Sequence, residues 1–212
     1  MVAKHIVCGI VALGCASAAQ ATSIPDPTGD FLVSYTGPHQ ADLDVTSLSV
    51  SFNSSTDSFL LQSTMAGMIN SALPGFYVIG VNTGTGTIAP FGSIGAGNVR
   101  FNQAVIVQKD GTAAIGATPL AAGSVAIGGN ALSLILPLAL LPSTGFEPGH
   151  YSFNIWPRNS GPGGLATISD FAPNNSDLSA APEPVSWAMM LGGFGAIGGA
   201  MRRHRNARVR FA

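Results

Sequence analysis

Residues 22–173 predict an all-β fold, an antiparallel β-sandwich of jelly-roll-like or immunoglobulin-like type, on three observations. Apolar runs there are short, several alternate with a period of two, and clusters of Gly, Asn, Ser, Thr and Pro separate them. No stretch carries the 3.6-residue periodicity of a helix longer than a turn or two. About eight or nine such strands suit a core enclosed between two sheets, with hairpins as the default connection.

Taken in order, Phe31–Tyr35 is a short apolar strand candidate and Asp42–Phe52 a longer one. Within the second, Leu43 and Val45 share one parity while Leu48, Val50 and Phe52 share the other. The side-chain phase therefore flips near Thr46-Ser47, which predicts a bulge or bend. Phe59, Leu61, Ser63 and Met65 alternate after a polar stretch and supply a hairpin partner. Phe76–Asn82 is the next run. Phe101–Gln108 pairs with Thr112–Ile115 across Lys109-Asp110-Gly111, a turn that uses glycine's tolerance of positive φ. Val125 and Ile127 pair with Leu132, Leu134 and Leu136 across Gly128-Gly129-Asn130, and Tyr151, Phe153 and Ile155 alternate in the last clear strand. The glycine-rich stretches 82–87 and 91–97 lack the Lys-Ser/Thr ending of a phosphate-binding loop and read as plain loops. Leu141-Pro-Ser-Thr-Gly145 spells a sortase signal, but a strand follows it where an apolar span and basic end are needed, so it reads as a loop. Residues 174–181, rich in small polar side chains, read as a linker.

Both ends carry targeting features. Lys4 and His5 open the chain, Ile6–Ala16 is apolar, and Ala19-Gln20-Ala21 is the small-x-small pattern of signal peptidase, so residues 1–21 read as a secretory signal peptide cleaved before Thr22. A lipid-modified Cys15 would want Leu three residues before it and a small residue two before it; Ala12 and Leu13 stand there instead. At the other end, residues 185–201 contain no charge and would span roughly 26 Å as a helix at ~1.5 Å per residue, slightly less than a ~30 Å hydrocarbon core. Trp187 suits one interface, and the basic end 202–210, with Arg202, Arg203 and Arg205, suits the cytoplasmic side. That orientation leaves Pro182-Glu183-Pro184 outside the inner membrane, as a stiff, non-helical strip that a protease can grip.

The succession of Pro182-Glu183-Pro184, Trp187-Ala-Met-Met-Leu191, Gly193-Phe-Gly195-x-x-Gly198 and an arginine cluster resembles the PEP-CTERM sorting tail, in its variant with Trp-Ala after the tripeptide. The resemblance covers Pro182 to about Arg205 within a tail of residues 182–212. It implies transient anchoring in the inner membrane, recognition and cleavage by an exosortase-type membrane protease, and delivery to the cell surface or an exopolysaccharide and biofilm matrix. The opening of the domain, Asp26-Pro-Thr-Gly-Asp30, Tyr35-Thr-Gly37 and Asp42-Leu-Asp44-Val-Thr-Ser47, is similar to a region common among exported proteins with this tail.

Between the two targeting segments there are nine acids against three bases, Arg100, Lys109 and Arg158. So acidic a body argues against nucleic acid as a partner. Cys8 and Cys15 both fall in the signal peptide, so the mature chain is expected to have no disulfide, thiol nucleophile or thiolate metal site. His39 and His150 are isolated on loops, no serine lies in Gly-x-Ser-x-Gly, and no acid pair has a legible catalytic separation, so the expectation is a non-enzymatic protein. Asp26, Asp30, Asp42 and Asp44 are the densest acidic group and the candidate calcium ligands, because calcium takes six to eight oxygens and turns supply carbonyls beside the carboxylates. The expected role is structural or adhesive. A carbohydrate-binding module that stacks sugar on Trp156, Tyr151 or Tyr35 is the alternative, and a secreted hydrolase comes behind it.

Overall fold

The computed structural model describes residues 21–180, 193–195 and 202. The expected signal peptide up to residue 20, the expected sorting residues Pro182, Glu183, Pro184 and Trp187, most of the apolar span, and Arg203 and Arg205 lie outside the described residues. Among the described residues no helix is long and apolar enough to cross a membrane.

Among the described residues eleven strands form two antiparallel sheets: β1 Thr22–Pro25, β2 Val45–Asn53, β3 Ser58–Met65, β4 Phe76–Asn82, β5 Gln103–Gln108, β6 Ala113–Ile115, β7 Thr118–Pro119, β8 Val125–Gly128, β9 Ala131–Pro137, β10 Ser152–Arg158 and β11 Leu178–Ser179. The first sheet runs β1-β2-β3-β9-β8 and the second β11-β10-β4-β5-β6-β7. Leu48, Val50, Phe59, Leu61, Leu132 and Leu134 of the first sheet meet Tyr77, Ile79, Val81, Val105, Phe153 and Ile155 of the second in one core. The arrangement is sandwich-like, and it follows from the period-two alternation, because each strand has one apolar side to bury.

The hairpins expected for β2–β3, β5–β6 and β8–β9 all form. Between Val45↔Met65 and Ser47↔Thr64 the register slips by one residue, so Thr46 is the bulged residue and both Val45 and Leu48 can face the core. Gly111 turns the β5–β6 hairpin at φ +88°.

Three segments depart from the expectations. Phe31–Tyr35 is a turn: Tyr35 N–H donates to Leu32 O at 2.9 Å, and the Phe31, Tyr35 and His39 rings stack on one another with no strand beside them. Thr22–Pro25, too short to stand out among polar neighbours, is a strand because β2 offers it an edge. Residues 174–180, expected as part of a linker, are docked. Asn154 Nδ2 donates to Pro173 O at 2.6 Å and Ser176 O at 2.9 Å, Asn98 N–H donates to Asn175 Oδ1 at 2.9 Å, and Ala180 N–H donates to Tyr151 O at 2.8 Å. The segment has little apolar surface, yet hydrogen bonds from its neighbours and the buried Leu178 hold it.

A second, smaller core lies on the far side of the second sheet. Val78 and Trp156 point away from the main core and are covered by Phe91, Ala96, Val99, Ile168 and Phe171 from the connections before β5 and after β10. The loop 141–145 is tied down as well: Thr144 Oγ1 donates to Thr85 O at 2.9 Å and accepts from Asn102 Nδ2 at 2.9 Å, while Leu141 is buried.

Candidate metal centre

Three segments converge below the bulge of β2. The first is the turn Asp26–Asp30, which leaves β1 with Asp26 N–H still donating to Thr46 O at 2.9 Å. It closes through Gly29, whose φ is +84°. The second is Asp44, between a short 3₁₀ turn (Ala41–Leu43) and β2. The third is Asp170, just after the 3₁₀ turn Gly164–Thr167 and before the docked C-terminal segment.

Carboxylate oxygens of Asp26, Asp30 and Asp170 lie within 4.8 Å of one another. Asp170 is 0 % exposed and held from two sides: Val45 N–H donates to Oδ2 at 2.8 Å and Phe171 N–H donates to Oδ1 at 2.7 Å. Asp30 Oδ2 accepts from Asn174 Nδ2 at 2.9 Å. Asp44, 3 % exposed, accepts from Gly29 N–H through Oδ2 at 2.8 Å, so its carboxylate faces the Asp26–Asp30 turn. The second oxygen of each turn-facing acid, Asp26 Oδ2, Asp30 Oδ1 and Asp44 Oδ1, is buried with no hydrogen-bond partner.

Electrostatics show the cost of this crowding. Burial, then the charges of Asp30 and Asp44, push the Asp26 carboxyl up to about 7. Burial pushes Asp170 up to about 8 against the pull of the Val45 N–H, with Asp26 and Asp30 adding to the rise. Asp44 is raised by burial first and by Asp30, with the Gly29 hydrogen bond opposing. Such a group of acids either shares protons or accepts a cation, because several negative charges at this spacing repel in a weakly screened site. The donors are all oxygens, so the fitting cation is a hard one.

Of the four acids expected from the sequence, Asp26, Asp30 and Asp44 come together and Asp42 does not. Asp42 Oδ2 sits 2.7 Å from Lys109 Nζ in a buried ion pair and also accepts from Asn70 N–H at 3.1 Å. Its backbone carbonyl takes the Tyr77 hydroxyl at 2.9 Å. Asp42 lies inside the 3₁₀ turn Ala41–Leu43 whereas Asp44 stands on the extended backbone that follows it, and this change of backbone conformation sends Asp42 to Lys109 and Asp44 to the turn. The missing member is Asp170, about 140 residues away in sequence, in a stretch that reads as loop; Ser169-Asp170-Phe171 gives no local signal beyond one acid among small residues.

The remaining candidates resolve more simply. Trp156, Tyr151 and Tyr35 are buried, so no sugar can stack on them as they stand. His39 lies on the Phe31 ring at 4.3 Å between centroids, and His150 is exposed at the end of a short 3₁₀ turn. No family model, curated protein or solved structure matches the chain.

Proposed function

We propose that the chain is an exported protein of the cell surface or exopolysaccharide matrix, structural or adhesive rather than catalytic, anchored transiently in the inner membrane and released by an exosortase-type protease. The observation that carries this is the order of parts at the C-terminus. Ala180 is still tied to the body, its N–H donating to Tyr151 O, and in the sequence Pro182-Glu183-Pro184, the apolar span and the arginines come just after it. At the other end, Thr22, the first residue after the proposed signal-peptidase bond, is also the first residue of β1 and pairs with Val50. Both proposed cleavage sites thus lie, in sequence, within a few residues of segments paired with the sheets. Within the sandwich-like class, we assign the immunoglobulin-like alternative. The β3–β4 and β9–β10 connections both cross between sheets, with β3 beside β9 and β4 beside β10, so that β2-β3-β9-β8 faces β11-β10-β4-β5 in the Greek-key order of such folds.

Replacing Pro182, Glu183 and Pro184 together with alanine is expected to leave a folded, membrane-retained precursor in cell fractionation. Normal release of that variant would overturn the proposal. A carbohydrate-binding reading is favoured by one feature, the hydroxyl-rich outer side of the first sheet, where Ser47, Ser49, Gln62, Thr64 and Ser133 line a shallow depression. Glycan pulldown, compared between the natural chain and an S49A/Q62A variant, tests it.

A further inference from the structure

We propose that Asp26, Asp30 and Asp170, beside the buried Asp44, bind one calcium ion that clasps the turn after β1 to the segment 168–174.

The carboxylate spacing is the first argument. Oxygens that share an ion at about 2.3–2.6 Å each can lie no more than about 5 Å apart, and these lie within 4.8 Å. The second argument is independent of the clustering. Asp44 is almost wholly buried, is turned toward the cluster by the Gly29 N–H, and keeps Oδ1 without a partner. A buried carboxylate oxygen left bare costs free energy unless something supplies positive charge. No basic side chain of the body supplies it. Lys109 is spent on Asp42, Arg158 donates to Thr167 Oγ1 and Gly164 O, and Arg100 lies beside Asp177, at the other end of the docked segment. Asp170 offers further acceptor capacity, because each of its oxygens uses one lone pair on a backbone N–H and retains another.

Calcium is the ion this set fits. All donors are oxygens, and they come from separate irregular loops; magnesium requires a near-ideal octahedron and zinc favours nitrogen and sulfur. The ion would join the turn after β1 to the segment 168–174. That segment is bridged to β10 through Ile155↔Ala172 and Arg158↔Ile168 and runs directly into β11. Calcium would therefore hold the segment 168–180 against the body.

The test uses the full chain, purified in detergent, in millimolar calcium, in equal magnesium and in chelator. Titration calorimetry should show one calcium site, and calcium should raise Tm by a few degrees over chelator. Hydrogen exchange should slow at residues 168–180 on calcium addition while β3 and β4 do not change. D26N and D30N, both at half-buried positions, should abolish the calcium response. D42N should retain it, because Asp42 belongs to Lys109. D170N alone is not decisive, since Asp170 also caps two backbone N–H groups, so the turn variants carry the test. Equal melting in calcium and chelator, an equal response to magnesium, or a calcium response that survives D26N and D30N would each overturn the site. Calcium binding with unchanged exchange at 168–180 would overturn the clasp.

Discussion

The two sheets share a core but differ on their outer faces. Behind the second sheet, Val78, Gly80 and Trp156 are roofed by Phe91, Phe101 and Phe171, with aromatic centroids 5.0–6.0 Å apart. Behind the first, Ser47, Ser49, Gln62, Thr64 and Ser133 border open space. The sequence of each strand encodes the difference. β2 and β3 alternate apolar and polar, as half-buried strands do, whereas β4 and β10 are buried along nearly their whole length. A sheet covered on both sides needs loops long enough to cover it, and here those loops also bring Asp170 to Asp26 and Asp30. The covered face and the carboxylate cluster are one construction.

The largest expected effect is at the roofed face. Trp156→Ala should cost about 3–5 kcal/mol in denaturant unfolding, because it empties the centre of the second core. Lys109→Met should destabilise by about 3–5 kcal/mol by leaving Asp42 buried and unpaired, and Lys109→Met combined with Asp42→Leu should recover much of that loss. Gly80→Ala should cost about 1–3 kcal/mol, since its Cβ would stand 2.5 Å from Trp156 Cζ3; Trp156→Leu in the same chain should relieve part of it.

Next comes pH. Asp26 and Asp170 have folded-state values raised to about 7 and about 8 from an ordinary 3.8. Between these limits the folded state binds more protons than the unfolded one. Their contribution to stability is therefore fully present below about pH 4 and is lost as pH rises through 7 to 8. In chelator, Tm should fall as pH is raised across that window, and calcium should flatten the fall because it favours the deprotonated carboxylates. An unchanged profile in D26N would assign the dependence to other groups. The smallest effect belongs to the open face: Ser49→Ala should change stability by no more than about 0.5 kcal/mol, and a larger loss would mean that this face is covered after all.

Much of the fold was legible in local pattern. The hairpins β2–β3, β5–β6 and β8–β9, with their turns, could be read from alternation and glycine placement, and even the bulge at Thr46 was visible as a parity flip between Val45 and Leu48. Local pattern misled where a segment's structure is set by its neighbours. Phe31–Tyr35 looks like a strand but has no strand beside it, whereas Leu178–Ser179 looks like a tether but has the edge of β10 beside it. Asp26, Asp30 and Asp44 could be singled out because they crowd together in sequence, and the same crowding wrongly drew in Asp42. By itself the sequence determined the all-β class, the main pairings and the acidic character of the N-terminal turns, since these depend on side-chain alternation and turn chemistry over a few residues. Only the tertiary structure decided that Asp42 answers to Lys109 and that Asp170 joins the turns. Those partnerships span 67 and about 140 residues, and nothing short of the packed sheets brings such distant charges within reach of one another.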